Sequence, residues 1–179
     1  MPPPIAVELL PYSPDWARTA EMERGRLENV LGANLIAVHH IGSTAIPGIC
    51  AKPIVDLMPE VQSLIQLDEA RQQVCSLGYQ WWAEYGMSGR RYCTLDEPST
   101  GKRHVQLHCF ERGNVHLERH LAFRDYLCAH PEIAREYETR KIKARALHPN
   151  DSHAYTDAKS AWITPTQIKA LAWFRSQGG

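Results

Sequence analysis

The sequence lacks the short motifs that mark several common classes of enzyme. It contains no GxxxxGKS or GxxxxGKT phosphate loop, no GxGxxG dinucleotide fingerprint and no GxSxG nucleophile elbow. These absences disfavour a P-loop kinase, a Rossmann dehydrogenase and an α/β-hydrolase. There is no run of about 18 apolar residues for a membrane span. The start, MPPPIAVELLPYSP, has neither a basic region nor a long apolar region for export. We expect a cytoplasmic protein with no membrane partner.

Cysteine is present, but not in a pattern that binds zinc or forms a disulfide framework. The five cysteines are odd in number and include no CxxC pair. We expect reduced thiols that mostly serve as packing residues.

The chain has no excess of charge of either sign. Lysine and arginine number 20, and aspartate and glutamate also number 20, which argues against a general nucleic-acid partner. The balance conceals an asymmetry, since residues 1–89 carry 5 basic and 10 acidic residues and residues 90–179 carry 15 and 10. Such a division suits a small anionic ligand complexed with a cation, and solvated helix faces explain it equally well.

The pattern of apolar residues predicts one α+β domain over residues 1–179, because 44% of the 179 residues are hydrophobic and no linker interrupts them. We predict a helix that starts at Ser13-Pro14, with Ser13 as N-cap, and ends near Gly32. The remaining predicted elements are strands at 35–41, 53–58, 79–84, 90–95 and 103–110, a helix over 64–77, and a hairpin turn at 97–101. A mixed sheet with helices on one side, about residues 1–112, then leads into a helical tail, about 113–179, with breaks at Pro131, 148–150 and Pro165.

The strongest chemical signal is the segment His40-Ile41-Gly42-Ser43-Thr44, followed by Asp56 within the apolar strand. A glycine and a hydroxyl residue at the end of a strand let backbone amides and a side-chain donor approach a phosphate. A carboxylate on the next strand is suited to a hard divalent cation that neutralises that phosphate. Burying Asp56 is costly unless it is paired or coordinating. The alternatives are a strand-end carboxylate that caps a turn or pairs with a base, and a Gly42-Ser43 turn required only by the backbone.

Basic residues near these segments are further candidates for phosphate contacts. Lys52 precedes the Asp56 strand, and Arg90-Arg91 open another strand, so that alternation turns one arginine toward the ligand face. We predict that this residue is Arg91, with Tyr92 close by, because planar guanidinium groups suit phosphate oxygens. The alternative is a solvated arginine pair.

The tail carries a second group of candidates, Arg124, Tyr137, Lys141, Tyr155 and Lys159. Tyr137 with Lys141 and Tyr155 with Lys159 are i, i+4 pairs, so each pair lies on one helix face. A tyrosine ring beside a lysine is suited to stack on a base and contact a phosphate. The alternative is that the tyrosines pack the tail onto the sheet and the lysine stems cover them.

Two further residue pairs on the first predicted helix of the tail have simpler interpretations. His116 and His120 have the i, i+4 spacing that can chelate zinc, but no glutamate base lies between them in an HExxH arrangement. Asp125 follows Arg124 directly and is expected to pair with a helical neighbour.

These segments together resemble the GrpB family, also called UPF0157, over about residues 7–163. The matching motifs, in family order and spacing, are HIGSTAIPG, AKPIVDL, GRRY, LAFRDYL with HPEIAREYETRK, and AYTDAKSAWI. The resemblance implies a branch of the nucleotidyltransferase superfamily with a polymerase-β-like fold. Fold transfers within such a superfamily more securely than function does.

The resemblance also implies where the metal ligands of that superfamily would fall. Gly42, Ser43 and Asp56 match the glycine-serine pair and the first carboxylate, whereas the second carboxylate falls on Met58. The strand that would supply the third carboxylate matches 104–108, in which alternation places His104, Gln106 and His108 on one face. Asp56 and His108 are therefore the predicted metal ligands and catalytic residues, with Mg²⁺ or Mn²⁺ as cofactor. The alternative for His108 is a buried imidazole bonded within the sheet.

The leading hypothesis is a nucleotidyltransferase-like enzyme, a transferase or an ATP-dependent ligase. It would bind a nucleoside triphosphate and a divalent metal, and either transfer a nucleotidyl group to a small acceptor or activate an acid as an adenylate. In it Asp56 holds the cation, Ser43 and the amide of Thr44 hold the terminal phosphates, and His108 is a further ligand or a general base. The alternative, favoured by Met58, is a nucleotide or phosphorylated-metabolite binding protein with a degenerate metal site. A third hypothesis is an interaction module that binds a peptide between sheet and tail.

Overall fold

The computed structural model describes residues 4–178, which form two compact units. The sheet unit comprises residues 14–41 and 54–117, and the helical unit comprises residues 4–13, 42–53 and 118–178. The chain therefore leaves the sheet unit after residue 41 and returns to it at residue 54. That the whole chain is one domain stays a prediction.

The sheet unit is built on a mixed sheet of five strands in the order β1-β2-β5-β4-β3. The strands are β1 Leu35–Ile41, β2 Val55–Val61, β3 Gln80–Trp81, β4 Arg90–Asp96 and β5 Arg103–Glu111. β2 and β5 are parallel and the other neighbours are antiparallel. Leu57, Val105 and Leu107 are fully buried on the parallel strands β2 and β5, which is why these segments read as apolar runs.

Three helices complete the sheet unit: α1 Asp15–Leu31, α2 Leu64–Glu69 and α3 Arg71–Ser76. A buried polar network anchors α1. Glu23 is 1% exposed and accepts hydrogen bonds from the Tyr79 hydroxyl at 2.7 Å and from Arg26 at 2.6 Å. Arg26 also donates to the Leu77 carbonyl at 2.6 Å. A buried carboxylate is tolerated here because both of its oxygens are bonded.

The structure confirms the predicted start of α1 and corrects two other predicted elements of the sheet unit. α1 begins at Asp15, and Pro14 before it already has helical angles, with φ of −65° and ψ of −14°, which confirms the predicted helix start at Ser13-Pro14. Ser13 as N-cap stays a prediction. The helix predicted over 64–77 is divided at Ala70, whose ψ of 6° leaves the helical region. The strand predicted over 79–84 is reduced to Gln80–Trp81, because Ala83 and Tyr85 adopt positive φ angles that turn the chain.

The helical unit contains most of α4 Val115–Ala129 and all of α5 Pro131–Leu147 and α6 Ser152–Ser176. One of its apolar clusters joins Ile46 and Ile49 to Leu127, Ala134 and Tyr137. Backbone hydrogen bonds between Leu10 and Ala51, 2.9 Å in each direction, link the two shorter segments of this unit.

The predicted helix breaks have different outcomes. The breaks at Pro131 and at 148–150 are confirmed, since α5 begins at Pro131 and α6 begins only at Ser152. The predicted break at Pro165 is wrong, because α6 continues through this residue. A proline within a helix forfeits one backbone hydrogen bond. Buried residues beyond it, Thr166 and Ala170, hold the rest of α6 in place. Among the described residues, no helix combines the length and apolar composition that crossing a membrane requires.

Candidate functional site

Asp56 and His108 lie beside each other on one face of the sheet unit. The parallel register of β2 and β5 aligns Asp56 with Gln106, and alternation brings His108 to the same face. Asp56 Oδ1 is 3.3 Å from His108 Nε2, and both side chains are half-buried. The sheet therefore brings together the two residues that the sequence proposed as metal ligands.

Tyr92 and Arg90 of β4, together with Tyr85 from the segment before β4, lie next to this pair. Tyr92 stands opposite His108, with 5.2 Å between the ring centroids. Burial, reinforced by the charge of Asp56, raises the pKa of the Tyr92 hydroxyl, so this phenol stays protonated. The Arg90 guanidinium lies 5.0 Å from the ring centroid of Tyr92 and 5.7 Å from that of Tyr85. Such contacts hold the cation against the sheet.

Arg91 lies on the opposite face, so the prediction that it faces the ligand is wrong. The register places Tyr92, and not Arg91, opposite His108, and strand alternation turns Arg91 away. Its guanidinium forms a bidentate pair with Asp68 of α2, at 2.6 and 2.7 Å. Hydrogen bonding to Arg91 holds the pKa of Asp68 below its ordinary value. Arg90 is the arginine that shares the face of His108.

Few side chains at the predicted metal site of the sheet could bind a metal ion. Met58, at the position where the resemblance implies a second carboxylate, is fully buried. Within residues 4–178, no three histidine, cysteine, aspartate or glutamate side chains gather to hold a metal ion. The predicted ligands therefore amount to one carboxylate, Asp56, and one imidazole, His108.

The two histidines of α4 have separate surroundings. The His116 ring lies 5.4 Å from the Phe110 ring within the sheet unit. His120 Nε2 lies 3.1 Å from an Arg119 nitrogen within the helical unit. The zinc interpretation of this pair stays a prediction.

Arg124 contacts its neighbour along the chain. Its Nε is 2.7 Å from Asp125 Oδ1, which confirms that Asp125 pairs with a helical neighbour. A role for Arg124 in binding a ligand stays a prediction.

Most of the remaining candidate residues meet in the helical unit. Lys159 Nζ lies 3.9 Å from the ring centroid of Tyr155 and 6.0 Å from that of Tyr137. Lys141 Nζ lies 4.9 Å from the Tyr137 centroid, and Lys52 Nζ lies 5.5 Å from the Tyr155 centroid. We call these five residues the lysine–tyrosine cluster. It confirms the one-face arrangement that the i, i+4 spacings predicted, since α5 and α6 each present a lysine and a tyrosine.

The glycine-hydroxyl segment reaches the same cluster through Ser43. Gly42 has a φ of 70°, a conformation that favours glycine, and a short 3₁₀ turn, Ser43–Ala45, follows it. Ser43 Oγ donates to the Tyr137 hydroxyl at 3.4 Å, and Thr44 is buried. Part of the predicted phosphate segment therefore contacts the lysine–tyrosine cluster directly.

Lys141 is the most deeply buried cation of the cluster, with 1% of its surface exposed. Its ammonium donates a hydrogen bond to the Cys50 carbonyl. The Cys50 N–H donates to Glu138 Oε1 at 2.6 Å. Burial lowers the pKa of Lys141 to about 8, against the opposing influence of Cys50 and Glu138. The sequence-based candidates did not include Cys50 or Glu138, although Glu138 stands three residues from Lys141 on the same helix.

The fold defines the class of protein to which this chain is similar. A crystal structure of the Cid1 poly(U) polymerase superposes with a TM-score of 0.54 at 11% identity, over 77% of this chain and 43% of that one. The likeness shows a nucleotidyltransferase-like fold, as the resemblance implied, and it shows the fold alone.

The family follows from closer matches. The model of the family described as GrpB protein matches residues 6–169, and the chain belongs to this family. It is 41% identical to the UPF0157 protein YqkA of Bacillus subtilis over 171 residues, which cover 96% of this chain and 49% of YqkA. This chain thus spans about half the length of that relative. The crystal structure of the conserved protein GrpB from Enterococcus faecalis superposes with a TM-score of 0.87 at 34% identity, over 93% of this chain and 99% of that one.

Proposed function

We propose that this protein binds a nucleoside triphosphate with Mg²⁺ or Mn²⁺, and transfers its nucleotidyl group to a small acceptor or activates an acid as an adenylate. The observation that carries the proposal is the lysine–tyrosine cluster, which gathers three ammonium groups around two tyrosine rings. A nucleotidyltransferase-like fold supports it. Binding of the phosphates depends on residues of the helical unit, and binding of the metal depends on residues of the sheet unit. The two parts of the proposal are therefore tested separately.

The phosphate part depends on charge. Three ammonium groups lie within 6.0 Å of the centroids of the same two tyrosine rings, and this concentration of positive charge would attract an anionic ligand. A triphosphate is suited to this because its oxygens accept charge-assisted hydrogen bonds. Ser43 adds a hydroxyl next to Tyr137.

The metal part depends on Asp56 and His108. Mg²⁺ is commonly held by one or two carboxylates together with substrate phosphates, and imidazole suits Mn²⁺ better than Mg²⁺. One carboxylate and one imidazole fit a single ion that takes its other ligands from phosphate and water. Such an ion would supply charge neutralisation. The donor set does not fit two ions, because Met58 offers no oxygen.

The lysine contribution is tested with Lys159→Met, and Lys169→Met is the matched control. Lys159 is nearly buried against Tyr155, whereas Lys169 is exposed on the same helix and outside the cluster. Titration calorimetry with ATP, GTP, CTP and UTP should show that Lys159→Met weakens binding about 10- to 100-fold, as expected for one lost charged hydrogen bond. Equal losses in the two variants, or no binding of any nucleotide at millimolar concentration, would refute the phosphate part.

The metal contribution is tested with Asp56→Asn, and Glu60→Gln is the matched control. Glu60 lies on the same strand and faces His39 at 3.3 Å, a contact of the same kind as that of Asp56 with His108. Glu60 is also 3.6 Å from Arg112, which already neutralises its charge. Mn²⁺ should strengthen nucleotide binding to wild type and Glu60→Gln but not to Asp56→Asn. An unchanged effect of Mn²⁺ on Asp56→Asn would exclude Asp56 as a ligand.

Release of pyrophosphate separates an enzyme from a binding protein. With a panel of small alcohols, amines and carboxylic acids as acceptors, the enzyme should release pyrophosphate and lose this activity in Asp56→Asn. Binding without pyrophosphate release across the panel would favour the second candidate, a protein that senses a nucleotide without turnover. The buried Met58 at a metal-ligand position is the observation in favour of that candidate.

A further inference from the structure

A cavity of about 300 Å³ lies within the helical unit, between residues 47–49 and helices α4 and α5. The buried core residues Ile49, Leu127 and Ala134 lie at its base. Exposed Pro47 and Pro131 supply the apolar surface that a ligand would meet. The volume is at the lower end of the range of ligand pockets. The cavity therefore suits a molecule smaller than a nucleotide, with an apolar part that packs against Pro47 and Pro131.

Two opposite charges from one face of α5 complete the lining. Arg135 and Glu138 are three residues apart, so both side chains lie along the same side of the helix. Arg135 is exposed, and within residues 4–178 no carboxylate lies within ion-pair distance of its guanidinium. Glu138 is half-buried, and its Oε1 accepts the Cys50 N–H at 2.6 Å. The cavity therefore combines an apolar surface with one cationic and one anionic side chain, a lining that complements a ligand with an apolar part and both charges.

We propose that this cavity binds a free α-amino acid with an apolar side chain, such as leucine. The carboxylate of the ligand pairs with the planar fork of Arg135, and its ammonium pairs with the Glu138 carboxylate. The side chain packs against exposed Pro47 and Pro131 and is removed from water. A simple anion would be repelled by Glu138 and a simple cation by Arg135, so the lining selects a molecule that carries both charges. The proposal is independent of nucleotide binding.

Analogues of leucine test the need for both charges. In titration calorimetry, L-leucine should bind, and leucinamide and N-acetyl-L-leucine should each bind at least about tenfold more weakly, because each lacks one charged partner. Glycine should also bind more weakly, because it covers no apolar surface. The proposal is overturned by the absence of binding for leucine, isoleucine and phenylalanine at 10 mM, or by equal affinity for leucine and its N-acetyl derivative.

Arg135→Gln tests the position of the ligand, with Arg140→Gln as the matched control. Both arginines are exposed on α5, and only Arg135 lines the cavity, so both variants should fold alike. Arg135→Gln should weaken leucine binding at least about tenfold, and Arg140→Gln should leave it unchanged. The same affinity in Arg135→Gln and wild type would overturn the proposed pairing.

Cys128 provides a second measurement, because it lines the cavity and its side chain is exposed. Saturating leucine should slow the alkylation of Cys128 by iodoacetamide, measured by peptide mass spectrometry. Cys75 of the sheet unit is the internal control and should react at an unchanged rate. If leucine binds but leaves the rate at Cys128 unchanged, the ligand occupies another place and the assignment fails.

Discussion

Raising the pH should stabilise this protein relative to a variant without the amine of Lys141. The side chain is 1% exposed, and burial lowers its pKa from the ordinary 10.5 to about 8. Charged Lys141 is therefore costly in the folded state, even though the Cys50 carbonyl accepts a hydrogen bond from it and the Tyr137 ring lies 4.9 Å away.

The sign and the size of the effect follow from proton linkage. As the pH rises from about 8 to 10.5, the folded protein has released the proton of Lys141 while the unfolded chain still retains it. The free energy of unfolding therefore increases with pH across this window. At about 1.4 kcal/mol for each pH unit, the increase amounts to about 3 kcal/mol. Below pH 8 both states bind the proton, and the contribution of Lys141 is constant.

The assay is urea unfolding at pH 7, 8, 9 and 10, followed by circular dichroism, for wild type, Lys141→Met and the control Lys143→Met. Lys143 is exposed on the same helix, so this variant controls for the loss of a lysine side chain. Groups that do not interact with Lys141 cancel in the comparison, whereas the Cys50 thiol interacts with Lys141 and adds its own titration to the difference. The unfolding free energy of wild type should rise relative to Lys141→Met above pH 8, and Lys143→Met should follow wild type. If the free energies of unfolding of wild type and Lys141→Met change in parallel with pH, the claim that burial lowers the pKa of Lys141 is refuted.

Two further predictions concern the sheet unit and the thiols. Tyr79→Phe removes one of the donors to buried Glu23 and should lower the free energy of unfolding by about 1–3 kcal/mol in urea titrations; unchanged stability would show that this hydrogen bond contributes nothing. Iodoacetamide should modify Cys128 in the native protein well before Cys93 or Cys109, because burial raises the pKa of Cys109 to about 12 and that of Cys93 still further from its ordinary value. Mass spectrometry that finds either buried thiol labelled first would contradict the described packing.

The strands near the predicted site were readable from the sequence because their patterns are local. β1 has the predicted bounds of 35–41, and β4 and β5 each extend one residue past the predicted end. β2, which carries Asp56, was predicted at 53–58 but begins two residues later and ends three residues later. Their β-branched residues and their flanking turns are adjacent in the chain, so a short window contains the information. The helix divided at Ala70 and the shortened β3 were missed, because backbone angles there depend on surroundings outside that window.

The choice between Arg90 and Arg91 shows a second limit of prediction from the sequence. Alternation correctly required the two side chains to lie on opposite faces, but it does not say which face carries the helices. Asp68 on α2 decides this by pairing with Arg91, and Asp68 is 23 residues away in sequence. The partner of a charged side chain is a property of the packed unit and is absent from any local pattern.

The sequence by itself determined the family, the mixed α+β architecture and the spacing that aligns Tyr137 with Lys141 and Tyr155 with Lys159. These features follow from periodicity and from motifs whose residues are close along the chain. Only the tertiary structure decided that Lys141 is buried against the Cys50 carbonyl and that Arg135 and Glu138 border an apolar cavity. Burial and electrostatic environment depend on which distant segments pack together, because desolvation is set by all the neighbours of a group and not by its own stretch of sequence.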